Sequence, residues 1–181
     1  GSDGNYYVGD TAWHSDRWTR ELRWVKVAFY LDPVGYETGC LRVIPGSHRL
    51  DEPYAIQLHA EIANSAETWG VEGVQVPALA LESEPGDVVV FDHNLKHASF
   101  GGGSRRRMFT INCCERGVGD KIEAVKQGIS DHAKYGMTQM YSEAMVTTAG
   151  PGRMVHLEEV LANQGHMPEV AARFAAEQAA P

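Results

Sequence analysis

Two side chains able to do metal chemistry stand one residue apart near the start of the chain, His14 and Asp16, with Ser15 between them. In an extended segment, residues i and i+2 face the same side, so such a triplet offers an imidazole and a carboxylate to one point. One more histidine from another strand would put three ligands on one face of an octahedron. Three positions would stay open, an arrangement suited to non-haem iron(II), where a co-substrate and oxygen must both reach the metal. The triplet alone is common. The distal half of the chain supplies candidates for the missing ligand: a turn and strand, Pro85-Gly86-Asp87-Val88-Val89-Val90-Phe91, lead into His93 and then His97. Ser99 shares strand parity with His97. Arg106 follows at the start of another strand, inside the run Arg105-Arg106-Arg107. An iron-chelating 2-oxo acid with a second carboxylate needs a fixed cation at its far end, and an arginine fork matches a carboxylate. On a strand only one of Arg106 and Arg107 can point inward.

The elements that must carry these residues are mainly strands. Leu22–Leu31 is rich in β-branched and aromatic residues, with Trp24, Lys26 and Tyr30 interleaved with Val25, Val27 and Phe29. Leu41–Ile44 reads as a short strand stopped by Pro45-Gly46, and Val74–Leu81 reads as extended. Asp87–Phe91 reads as a buried strand, and Met108–Cys114 as another. Asp51–Thr68 is polar with scattered apolar positions and suits a short helix in an insertion. Ser99–Ser104 reads as a flexible loop. The last third changes character: Asp120–Met145 and Val155–Ala179 have helical spacing, split by Thr147–Gly152. Strands first and helices after imply a β-sandwich or barrel with a helical tail packed outside it. The organisation expected is a core over residues 1–117 and a helical extension of the same domain over 118–181.

Bulk properties narrow the function. The chain has 181 residues and a net charge of −8, which disfavours nucleic-acid and anionic-membrane partners. No apolar stretch is long enough for a membrane span. Adjacent Cys113 and Cys114 would point to opposite faces of a strand and make a poor disulfide pair, so a reduced, cytoplasmic protein is expected.

Four stretches together resemble the phytanoyl-CoA dioxygenase family of iron(II)/2-oxoglutarate oxygenases: Trp13-His14-Ser15-Asp16; Gly39-Cys40-Leu41-Arg42-Val43-Ile44-Pro45-Gly46-Ser47-His48; Pro85 to Phe91; and His97-Ala98-Ser99 with the later arginine. The match spans residues 8–115, and the second stretch is its most distinctive part. The resemblance implies a double-stranded β-helix, or jelly-roll, of the cupin-like kind. It implies that His14, Asp16 and His97 bind Fe(II), with His97 preferred to His93 by the His-x-Ser match. It further implies that Arg106, or else Arg107, pairs with the 2-oxoglutarate carboxylate, that Ser99 assists, and that Phe29 is the aromatic beside the co-substrate. The activity implied is a dioxygenase that consumes O2 and 2-oxoglutarate, hydroxylates a C–H bond of a small organic molecule, and yields succinate and CO2. Halogenating relatives lack the carboxylate of the triplet, so Asp16 favours hydroxylation. Only 13 residues precede His14, fewer than is usual in the family, so an N-terminal part of the family domain is expected to be missing.

Other residues have plainer readings. His48 follows a Pro-Gly-Ser turn and reads as structural. His156-Leu157-Glu158 is an H-x-E at a helix start, where i and i+2 do not share a face. Trp13 and Trp18 flank the triplet and suit either a substrate entrance or packing. Two alternatives to the main reading are a cupin-like metal enzyme that does not use 2-oxoglutarate and a non-catalytic jelly-roll binding module. The arginine after His97 separates the first alternative from the main reading, because only a dicarboxylate co-substrate requires it.

Overall fold

A computed structural model describes residues 2–7, 9–103 and 106–179. Arg105 and Ser104 lie outside the described residues. The chain divides into two compact units, residues 2–114 and 115–181. Among the described residues the first holds eight strands: β1 (Ser2–Tyr7), β2 (Thr11–His14), β3 (Trp24–Tyr30), β4 (Leu41–Val43), β5 (Leu79–Leu81), β6 (Val88–Asp92), β7 (His97–Ser99) and β8 (Arg106–Cys114). They form two four-stranded antiparallel sheets, in the orders β1-β8-β3-β6 and β2-β7-β4-β5. Successive strands alternate between the sheets for most of the chain, which is the eight-stranded jelly roll that the resemblance implied.

Period-two alternation sorts each strand's residues between two faces. On β3, Trp24, Ala28 and Tyr30 are buried, and Lys26 shares their parity. Ala28 and Tyr30 join Val34 and Cys40 in one core cluster, with Val89 and Met108 against it. Phe29 has the opposite parity and meets Phe109 on the other face, ring centroids 6.1 Å apart. The strand Asp87–Phe91, expected to be buried, is instead the edge strand β6: Phe91 is buried while Val88 and Val90 are largely exposed. An unbroken apolar run reads as buried on both faces, but an edge position buries only one.

A second cluster, Trp13, Ile44, Leu58, Ile62, Val76, Ala98 and Phe100, joins the other sheet to the insertion. That insertion folds as α1 (Pro53–Glu61) and α2 (Ser65–Trp69), with Pro53 opening α1, where its missing N–H costs nothing. Val74–Leu81, read as extended, begins with a 3-10 turn over Gly73–Gln75 before β5.

The second unit is helical: α3 (Ile122–Ala133), α4 (Glu143–Thr147), α5 (Pro151–Met154), α6 (Glu158–Asn163) and α7 (Met167–Ala179). The two long helical segments expected here are both interrupted. The first ends near Gly136, whose φ of 78° suits glycine at a helix terminus. No helix among the described residues is long and apolar enough to cross a membrane.

Candidate metal centre

The centre begins with a defect in strand pairing. Thr11 pairs with Ser99, so regular antiparallel register would set Trp13 opposite His97. A bulge in β2 lets His14 pair with His97 instead. One extra residue re-aims the strand. His14 turns into the space between the sheets, its ring centroid 4.2 Å from that of His97. Trp13 turns away, buried, with its Nε1 donating to Gly73 O at 2.8 Å. The entrance role considered for Trp13 is therefore replaced by packing.

Asp16 lies just beyond β2, in a bend rather than a regular strand. Its position is set by the turn that precedes His97. Ser15 Oγ donates to Asn94 O at 2.8 Å, and Arg17 N donates to His93 O at 3.1 Å. The Asn94 side chain closes the clamp: its Oδ1 accepts from Thr19 N at 2.9 Å and its Nδ2 donates to Thr19 O at 3.1 Å. The turn is also held from the other side. Fully buried Ser47, in the Pro-Gly-Ser-His stretch, donates to Ile44 O and accepts from Lys96 N at 2.8 Å. That gives the distinctive stretch a physical role: it anchors the residue next to His97.

The three side chains converge. His14 Nε2 and His97 Nε2 each stand 3.9 Å from Asp16 Oδ1, and one ligand atom from each residue lies within 4.8 Å of the others. Each imidazole is oriented through its other nitrogen: His14 Nδ1 donates to Ala12 O at 2.8 Å and His97 Nδ1 to Leu95 O at 2.9 Å. That fixes the tautomer and leaves both Nε2 lone pairs free to bind a cation. Burial, and next the neighbouring His14, push the His97 pKa down to about 4, so its ring is neutral at physiological pH, as a metal ligand must be. Burial pushes the Asp16 carboxyl up, but the Lys26 ammonium, followed by His97, more than offsets it, and the net shift is downward. Two imidazole nitrogens and an ionised carboxylate fit a divalent cation with oxygen and nitrogen ligands.

Lys26 is a site residue that the sequence reading left among the strand pattern. Its Nζ is 2.8 Å from Asp16 Oδ2, a close ion pair. His93, considered as a rival ligand, stands on the same side: its Nδ1 is 3.9 Å from Oδ2, and neither ring nitrogen has a hydrogen-bond partner among the described residues. It faces the second carboxylate oxygen and is not part of the three-ligand cluster. Burial pushes its pKa down to about 4.

A cavity of about 130 Å³ opens beside this cluster, lined from both sheets by residues that include Lys26, Tyr30, Ser99, Arg106 and Thr110. Arg106 is buried and faces inward. Its Nη1 donates to Gly39 O at 2.6 Å, and Ser99 Oγ donates to the same oxygen at 2.9 Å. Gly39 has φ 93°, and a Cβ there would come within 2.7 Å of Gly102 Cα and 3.1 Å of Arg106 Nη1. Only glycine lets the backbone approach the guanidinium this closely. Arg107 faces outward, where Asp32 Oδ1 accepts from its Nη2 at 2.7 Å, and it does not line the cavity. Phe29 is a further correction. It lies on the outer face of its sheet, and the aromatics that line the cavity are its neighbour Tyr30 and, from β6, Phe91. Strand parity with Lys26 carried the signal for Tyr30.

The other candidates sit elsewhere. Trp18 stacks on His59 with centroids 3.9 Å apart, and Lys96 Nζ lies 2.7 Å from His59 Nδ1. Burial pushes the Lys96 pKa down to about 8. His48 is exposed in its turn, and His156 and Glu158 belong to the helical unit.

A jelly roll that brings two strand-borne histidines and the aspartate just beyond β2 together offers the donor set of a non-haem iron oxygenase. The family model described as phytanoyl-CoA dioxygenase (PhyH) matches residues 5–108, and the chain belongs to that family. No curated protein matches it. Among solved structures it is similar to AviO1 from Streptomyces viridochromogenes Tue57, at 27% identity and TM-score 0.46, covering 65% of this chain and 49% of that one. It is also similar to EvdO2 from Micromonospora carbonacea var. aurantiaca complexed with 2-oxoglutarate, at 23% identity and TM-score 0.43, covering 61% and 47%. A third is EctD from S. alaskensis with bound Fe, at 27% identity and TM-score 0.41, covering 61% and 42%. The chain spans less than half the length of each of these.

Proposed function

We propose that the chain carries the active centre of an Fe(II)- and 2-oxoglutarate-dependent dioxygenase that hydroxylates a C–H bond of a small organic molecule. The observation that carries this reading is the pair of Nε2 atoms, each 3.9 Å from Asp16 Oδ1, with both rings locked through Nδ1 to backbone carbonyls. Family membership supports the oxygenase class. His14, Asp16 and His97 would hold the iron. Iron bound there would couple oxygen activation to the decarboxylation of 2-oxoglutarate, giving succinate, CO2 and a hydroxylated product.

The chain's own residues define the rest. Arg106 supplies a buried cation to the far carboxylate of the co-substrate. Ser99, two strand residues from His97 and hence about 7 Å along β7, adds a hydroxyl at that end. Gly39 O, held by both Arg106 and Ser99, fixes the direction of the guanidinium. Tyr30, Leu41 and Met108 line the cavity with apolar surface that keeps water from the co-substrate. The substrate approaches from the side of half-exposed His14, because His97 is buried.

Anaerobic addition of Fe(II) and 2-oxoglutarate tests the reading through the weak metal-to-ligand charge-transfer band in visible light. The band is expected for the native chain and is lost in His14→Ala, Asp16→Ala and His97→Ala. Its absence from the native chain would overturn the co-substrate assignment, and iron binding that survives His97→Ala would overturn the ligand set.

A further inference from the structure

The two oxygens of Asp16 do not face the same surroundings. Oδ1 faces the two Nε2 atoms, at 3.9 Å from each. Oδ2 faces the Lys26 ammonium at 2.8 Å and the His93 ring at 3.9 Å. Lys26 reaches this point from the inward face of β3, where it sits opposite Phe91 and Asn112 in the register. Its side chain is 18% exposed and that of Asp16 is 19% exposed, so the pair is largely withdrawn from water. A lysine so placed does not stay without a countercharge, and a mostly buried carboxylate needs the same.

We infer that Lys26 is a positioning residue that restricts Asp16 to binding a metal through Oδ1 alone. The inference rests on the metal reading above. A carboxylate free to turn about its Cβ–Cγ bond can chelate a cation through both oxygens. With Oδ2 taken by an ammonium, that mode is closed. The difference decides how many positions remain on an octahedral ion. Three protein atoms leave three positions, enough for a 2-oxo acid binding through two atoms and for one molecule of oxygen. Four protein atoms leave two, and the 2-oxo acid alone would fill them. Lys26 thus reserves the position that oxygen needs. Because Lys26 is a cation beside a bound cation, its effect lies in coordination mode rather than in stronger binding, so affinity alone is a poor gauge of it.

Carboxylate denticity is read from infrared difference spectra of the Zn(II)-loaded against the metal-free chain, with aspartate carboxyl carbons isotopically labelled. Binding through one oxygen separates the antisymmetric and symmetric stretches widely, and chelation narrows the gap. The native chain is expected to show the wide separation, Lys26→Met the narrow one, and Lys26→Arg, which retains a cation, the wide one again. A wide separation in Lys26→Met overturns the inference. If Lys26→Met does not fold, Lys26→Leu takes its place: a narrow separation upholds the inference and a wide one overturns it. Zn(II) that fails to bind the native chain, or binds equally well to the His14→Ala and His97→Ala variants, sinks the metal reading itself. That result differs from a bound metal with unchanged denticity.

Discussion

At the scale of single residues, the two neighbouring arginines carry the sharpest contrast. Arg106 is buried and inward, and Arg107 is 45% exposed and paired with Asp32 outside the barrel. Arg106→Leu is expected to weaken 2-oxoglutarate binding by roughly 2–4 kcal/mol, the cost of removing one partner from a buried charge-assisted contact. Arg107→Ala should leave that affinity unchanged and cost about 0–1 kcal/mol of stability, since exposed ion pairs contribute little. Titrating 2-oxoglutarate into both variants in the metal-loaded state measures the first effect, and urea midpoints measure the second. Equal losses of co-substrate affinity in the two variants would contradict the inward placement of Arg106. The sequence alone allowed one inward arginine. Which of the two it was depended on the register of β8, which pairs Arg107 N with Asp32 and turns Arg106 to the cavity.

At the scale of elements, much of the site was legible and its fastening was not. His14 and Asp16 share one short triplet, and His97 and Ser99 were picked out through the family resemblance; the structure brings the first three together, with Asp16 in a bend and not on a strand. Phe29 was named where Tyr30 lines the cavity, a difference legible in the alternation of Trp24, Lys26, Ala28 and Tyr30 on one face of β3. Lys26 was missed because a charged residue on a strand ordinarily marks the solvent face. The bulge that turns His14 inward leaves no signature in composition. Neither do the contacts of Asn94 and Ser47, whose partners lie 75 and 49 residues away. Those contacts carry a prediction. Asn94→Ala frees Thr19 and the segment behind Asp16, so metal affinity should fall about 10- to 100-fold, as for other residues that orient ligands. Stability should drop by roughly 1–3 kcal/mol because buried partners lose their hydrogen bonds. Metal titration beside urea unfolding tests it, and unchanged affinity with lowered stability would reduce Asn94 to a purely structural role.

At the scale of the whole molecule, the fold keeps two imidazoles neutral. His93 and His97 have pKa values near 4, chiefly through burial, against about 6.5 in the unfolded chain. Between those values the unfolded chain binds more protons than the folded one, so stability rises with pH across that interval. The metal-free protein should therefore lose stability as pH falls from 6.5 to 4, on the order of 1–3 kcal/mol per histidine. Urea midpoints recorded across that range are the measurement, and a flat profile would mean that neither ring is withdrawn from water. Metal held by His97 would add its own stabilisation near neutral pH, growing with free metal concentration by mass action.

The two histidines that face each other across β2 and β7 are unequal in one respect: the His14 side chain is 40% exposed and that of His97 only 6%. The centre thus has a solvent-accessible imidazole and a sheltered one, and small electrophiles can tell them apart. Diethylpyrocarbonate should acylate His14 of the metal-free chain well before His97, and a cation in the centre should shield it. Peptide mass mapping over a time course would record that order, so the reagent becomes an occupancy probe that needs no colour, no turnover and no knowledge of the substrate.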